Sequence, residues 1–274
     1  MIKRITLPAL FLIGSIVMLN GCKKETQDTE TTSATDNTIC EAEFTRVLPT
    51  VNNFGISEPG VQRIEPGAVN VQWNAGCATI TIDTAQAFPV LMTVDYGTVG
   101  CTDSIDGKTR KGKILIDFSA PFYTNGATMT ATFQDYYVNG IKFEGTTTIT
   151  RTGQYTFTQS TANGKCTGST NNWTILWECT RNYTWTQGSG TPTVADDIVE
   201  VSGSGAGTDR NGLDFTVNIT SPLIKSMGCR WIQQGTVELT PNGKPTRTVD
   251  FGTVGCDDKA TITIDGNTFE FTMN

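Results

Sequence analysis

The chain has 274 residues, 20 basic and 27 acidic side chains, a formal net charge of −7 and no histidine. An acidic chain lacks the basic footprint that nucleic acid requires, so nucleic acid is excluded as a partner. Without imidazole there is no Ser-His-Asp or Cys-His catalysis and no histidine-built zinc site, which leaves carboxylates, Tyr and Lys for acid–base work.

The chain opens as a secretory signal. Lys3 and Arg4 precede an apolar run from Ile5 to Met18, too short and too interrupted for a stable membrane span. Leu19-Asn20-Gly21-Cys22 closes it as a lipoprotein cleavage motif, which predicts that residues 1–21 are removed and that Cys22 is acylated. The partner this implies is outer-membrane lipid, reached through the acyl chains on Cys22. The removed peptide carries two positive charges and no acid, so the remainder stands near −9.

Residues 22–40 read as a flexible tether, because 23–39 contain no aromatic residue and one large aliphatic. Cys22-Lys23-Lys24-Glu25 resembles a short Lys-acidic surface-export signal. The expected location is the outer membrane, lipid-anchored and facing outward, with a periplasm-facing anchor as the alternative.

Residues 41–274 read as a β-rich body, with a candidate subdivision near 165. Period-2 alternation recurs along it. In 172–185, Trp173, Ile175, Trp177, Cys179, Tyr183 and Trp185 share one face, and Arg181 alone breaks the row. Asp106-Gly107, Asn139-Gly140, Asn211-Gly212, Asn242-Gly243 and Asp265-Gly266 sit between alternating runs, where tight hairpins need φ > 0. No 3.6-residue apolar stripe follows the signal segment. The predicted fold class is all-β, with antiparallel meander sheets packed as an elongated sandwich containing an internal pseudo-repeat.

The repeat is explicit. Residues 93–101 (Thr-Val-Asp-Tyr-Gly-Thr-Val-Gly-Cys) recur at 248–256, an offset of 155, with Phe251 in place of Tyr96. Cys77 lies 24 residues before Cys101, and Cys229 lies 27 before Cys256. In an exported chain this parallel predicts disulfides Cys77–Cys101 and Cys229–Cys256, each closing one strand–turn–strand unit. Elimination then pairs Cys166 with Cys179 and leaves Cys40 near the tether; the alternative gives Cys40 one partner from that pair.

Three constellations are candidates for chemistry. Asp95, Asp250, Glu144, Glu178, Glu200, Glu238 and Glu270 are the carboxylates from which a glycosidase pair would have to come. Asp103-Ser104-Ile105-Asp106-Gly107 and the stretch from Asp209 to Asp214 place oxygens around glycine turns, yet neither has the twelve-residue calcium-loop spacing. Trp173, Trp177, Trp185, Trp231, Tyr136 and Tyr137 are candidates for stacking on glycans, although an alternating aromatic row reads first as core. No catalytic residue, metal ligand or cofactor is singled out.

Lys111-Gly112-Lys113-Ile114, Asp135-Tyr136-Tyr137-Val138-Asn139-Gly140, residues 207–212, and Gly228-Cys229-Arg230-Trp231 through to Gly252 together resemble a family of Bacteroidota cell-envelope lipoproteins. The resemblance covers most of 77–274 and implies an exported, β-rich lipoprotein; it carries no activity with it. The expectation is a non-catalytic binding or adhesion module whose partner is a glycan or an envelope protein. The alternatives are a carboxylate-dependent glycan-processing enzyme and a structural subunit of an outer-membrane complex.

Overall fold

The computed structural model describes residues 28, 30–51, 71–75 (backbone only), 77–83, 88–104, 106–122, 124–170, 172–189, 194–229, 231–253 and 255–273. The signal segment 1–21, Cys22 and the surface-export motif lie outside the described residues.

One helix, α1 (Thr32–Phe44), precedes the strands, and residues 47–51 are again helical. The strands are β1 (Val71–Ala75), β2 (Ala78–Asp83), β3 (Val90–Asp95), β4 (Cys101–Thr102), β5 (Thr109–Phe118), β6 (Thr128–Val138), β7 (Ile141–Arg151) and β8 (Thr156–Thr167). They continue as β9 (Thr174–Gln187), β10 (Ile198–Thr208), β11 (Asp214–Ser226), β12 (Gln234–Pro241), β13 (Arg247–Asp250), β14 (Lys259–Ile264) and β15 (Asn267–Thr272). All belong to one sheet in chain order, every pairing antiparallel, with the short β4 alone set off the path beside β5. The chain is thus an all-β antiparallel meander. Short turns dictate this, since a tight turn can join only antiparallel neighbours. At the β6–β7 turn Asn139 and Gly140 both take positive φ (48° and 84°), as do Asp265 and Gly266 between β14 and β15 (49° and 76°), the geometry that Asn-Gly and Asp-Gly supply most readily.

Bulges recur across the middle of the sheet. The register slips between Lys111 and Lys113, between Glu144 and Thr146, between Thr161 and Gly164, and between Val201 and Ser204. A bulge bends its strand and increases local twist, which lets one sheet turn its inner face toward itself. Gly112 shows why the bulged positions are restricted. Its φ is +86°, and a Cβ there would lie 1.9 Å from the Asp135 carbonyl oxygen.

The inner face carries one continuous apolar core. It runs from Ile80 and Ile82 on β2 through Met92, Ile116, Met129, Phe143, Ile175, Trp177 and Trp185 to Val217 and Leu239. Alternation is cleanest in β9, whose residues are exposed and buried in strict turn from Thr174 to Trp185.

Both copies of the repeat end a strand in the same way. The Asp95 carboxylate accepts the Gly97 N–H at 2.8 Å, and the Asp250 carboxylate accepts the Gly252 N–H at 2.8 Å. Each turn then leads to a disulfide: Cys77–Cys101 closes the β2–β3 hairpin and Cys229–Cys256 closes β12–β13. These hairpins lie next to the two ends of the meander.

Two expectations need correction. The tether assigned to 22–40 is not loose over its second half: residues 32–40 form most of α1, and Ser33, Asp36 and Cys40 are fully buried. The Cys166–Cys179 pair is also excluded. Cys166 sits opposite Ile175 and Cys179 opposite Thr161, so four residues of strand separate the two sites along β9, about 13 Å. A disulfide requires Cα atoms within about 7 Å. Cys166 instead faces Cys40, with the sulfurs 3.0 Å apart.

Candidate functional site

The most concentrated chemistry lies where α1 meets the inner face of the sheet. Ser33, Asp36, Asn37, Cys40, Glu41, Glu43 and Phe44 follow helical spacing, and all but Phe44 and Cys40 are polar. Such a face needs polar partners, because an unpaired buried charge is costly. The sheet supplies them as arginines, one after another, along a helix that crosses the strands rather than following one.

At the N-terminal end, Arg247 at the start of β13 donates to the Asp28 carboxylate and the Glu30 carbonyl, both at 3.0 Å. The Ser33 N–H is satisfied by the Glu30 carboxylate at 2.9 Å, filling one of the donors that a helix start leaves open. Arg210, just past β10, grips Asp36 through its backbone N–H (2.7 Å) and its guanidinium (Nε, 2.8 Å). Asn37 accepts the Trp177 indole N–H at 2.9 Å. Arg181 forks onto both Glu41 oxygens at 2.8 and 2.5 Å and donates to the Ser204 carbonyl at 2.6 Å. This is why Arg181 occupies an otherwise apolar row.

Phe44 ends the helix as an apolar plug. Its ring stacks on Trp177 at 5.4 Å and meets Phe133 and Phe143 edge-on. Gly164 makes room for it, since a Cβ there would lie 3.2 Å from the Phe44 ring and 2.5 Å from the Trp177 carbonyl oxygen. Gln159 caps the Phe44 carbonyl at 2.8 Å.

Beyond Phe44 lies a closed ionic cluster. The guanidinium of Arg110, fully buried on β5, bonds Glu43 at 2.8 Å and Asp106 at 2.6 Å. Arg46 bonds Asp103 at 2.7 Å and Asp106 at 3.3 Å; Lys108 and the Tyr136 hydroxyl both donate to Glu43 at 3.2 Å. Three cations thus face three carboxylates. Burial alone would raise the Asp106 carboxyl, but hydrogen bonds from Arg110 and the Lys108 N–H, with the charges of Arg110 and Arg46, hold it down at about 2. Burial works against the Arg110 charge as well; Asp106 and Glu43 outweigh it and raise its pKa.

These contacts place the candidates read from the sequence. Asp103 and Asp106 already hold arginines, and Asp209 is turned inward, accepting the Asn211 and Leu213 N–H groups and the Ser33 hydroxyl. Among the described residues no group of three or more His, Cys, Asp or Glu is arranged to hold a metal ion. Asp95 pairs with Lys113, and Glu144 with Lys142 and Lys165. Glu178, Glu200, Glu238, Asp250 and Glu270 are exposed on separate strands or at a strand end. Trp177, Trp185 and Tyr136 are core, Trp173 lies under the Arg210 guanidinium, and Tyr137 lies under Lys111. Trp231 is half-buried beside Lys225, which donates to its carbonyl.

Sequence reasoning missed the whole acidic face of α1 and its arginine partners. The available signals were the helical spacing of the polar residues Ser33, Asp36, Asn37 and Glu41 with Cys40 and Phe44, and the lone Arg181 in an apolar row. Comparison with protein-family models, with curated proteins and with solved structures finds no match to this chain.

Proposed function

We propose that this is an exported cell-envelope protein, held at the outer membrane through an acylated Cys22 and acting by binding rather than by catalysis. The observation that carries the reading is the pair of disulfides closing the hairpins near both ends of the sheet. Structural disulfides belong to oxidising compartments, which agrees with a signal segment ending at Cys22.

Binding is favoured over catalysis by how the charges are arranged. The densest charged cluster is neutral overall and turned into the core, and the strand carboxylates stand apart, either exposed or each on a lysine. A protein partner is favoured over a glycan by β15. All six of its positions are exposed, Phe269 and Phe271 among them at 45% and 37%, and among the described residues no strand lies beyond it in the sheet. An open edge with an apolar side is a surface onto which another extended segment adds.

The test is a crosslinked pull-down of the intact acylated protein from envelopes, run beside a Phe269→Asp/Phe271→Asp variant. The reading expects crosslinks from β15 and at least about a tenfold lower recovery with the variant. Equal recovery removes β15 as the surface. Membrane retention of a Cys22→Ala variant removes the anchor, and glycan cleavage abolished by one carboxylate substitution removes the non-catalytic reading.

A further inference from the structure

We infer that Cys40 and Cys166 form a third disulfide, which bolts α1 to the middle of the sheet. The inference rests on the export reading, because it needs an oxidising compartment. Both side chains are fully buried, and their sulfurs lie 3.0 Å apart, about 1 Å beyond bonding distance. The approach is held from both sides. Asn37 is bonded to Trp177 one helical turn before Cys40, and Phe44 packs on Gly164 one turn after it. Seating the helix therefore brings these two sulfurs together, although 126 residues separate them in the chain.

The chemistry is thiol–disulfide exchange with an exported disulfide-bearing oxidoreductase. One cysteine thiolate attacks the donor disulfide and forms a mixed disulfide. The second thiolate then displaces the donor, so the chain loses two protons and two electrons and the donor leaves as a dithiol. Neither sulfur is reachable once α1 is seated, so the mixed disulfide forms on the folding chain and the bond closes as the helix docks. The pairing also resolves the odd count: with Cys22 acylated and three disulfides made, Cys179 alone keeps a thiol. That thiol is buried on the inner face of β9, where desolvation raises its pKa to about 11, as befits an unreactive core residue.

The test uses the full chain, exported by a host with an oxidising periplasm, purified without reductant, alkylated in denaturant and mapped without reduction. The expected result is a Cys40–Cys166 linked peptide with Cys179 as the one alkylated cysteine of the body. A Cys40→Ser variant should then show Cys166 newly alkylated and the other linkages unchanged. Alkylation of both Cys40 and Cys166 while Cys77–Cys101 and Cys229–Cys256 remain linked overturns this bond and leaves export standing, as does a Cys166–Cys179 peptide. Reduction of all three pairs overturns the export reading and the bond together.

Discussion

The ends of the sheet and its middle are held by different physics. Near the ends, β2–β3 and β12–β13 are short hairpins, each closed by a disulfide, and all six positions of β15 beyond them are exposed. In the middle, β5 to β11 are strands of 10 to 14 residues, and α1 lies across their inner face with its acids on buried arginines. At the β12–β15 end few apolar side chains are buried, Leu239, Ala260 and Ile264 among them, so a covalent link compensates for sparse burial; β2–β3 has its disulfide in addition to core, with Ile80, Met92 and Val94 buried. The middle has core in abundance; there the charges tie a polar helix to one seat on an otherwise apolar face. Buried ion pairs are weak evidence for net stability, yet breaking one is costly.

That asymmetry sets the order of the effects. Glu43→Ala leaves the fully buried Arg110 without its helix partner and is expected to cost about 3–5 kcal/mol, read as a lower urea midpoint. Glu43→Leu combined with Arg110→Met should recover much of that loss, and no recovery would mean that the cluster does more than pair charges. Cys229→Ser/Cys256→Ser opens a loop spanning 27 residues and should cost about 3–4 kcal/mol. Hydrogen exchange should rise in β12–β15 while β5–β9 stay protected; a uniform rise would erase the distinction between the two regions. Gly164→Ala drives a methyl group against the Trp177 carbonyl and the Phe44 ring. It should cost about 1–3 kcal/mol, with the loosening seen in α1 rather than at the sheet ends.

Two pH responses are smaller. The folded pKa of Asp106, about 2, lies below the ordinary aspartate value of 3.8. Its contribution is therefore complete above that higher value and is lost as pH falls through the folded one. Urea midpoints taken from neutral pH down to 2 should show this slope, and Asp106→Asn should flatten it. Burial lowers Lys225 from 10.5 to about 8, so the unfolded chain binds more protons between those values. Stability should rise with pH across that window, and Lys225→Met should remove the rise.

The sequence by itself determined what depends on near neighbours. Period-2 alternation marked β9 residue by residue, Asn139-Gly140 and Asp265-Gly266 marked two hairpins, and the duplicated 93–101 segment pointed to the hairpin cysteines. Each signal is local because a strand's two faces, a turn's φ values and a short closed loop are set within some thirty residues. Tertiary structure alone decided α1. Its inward face is polar, so no apolar stripe announced it, and its partners Arg110, Arg181 and Arg210 lie 67 to 174 residues away. Only the folded sheet brings those guanidinium groups into one row, and only that row makes the burial of Asp36 and Glu43 favourable. The same non-local packing, rather than any spacing in the chain, sets Cys40 against Cys166.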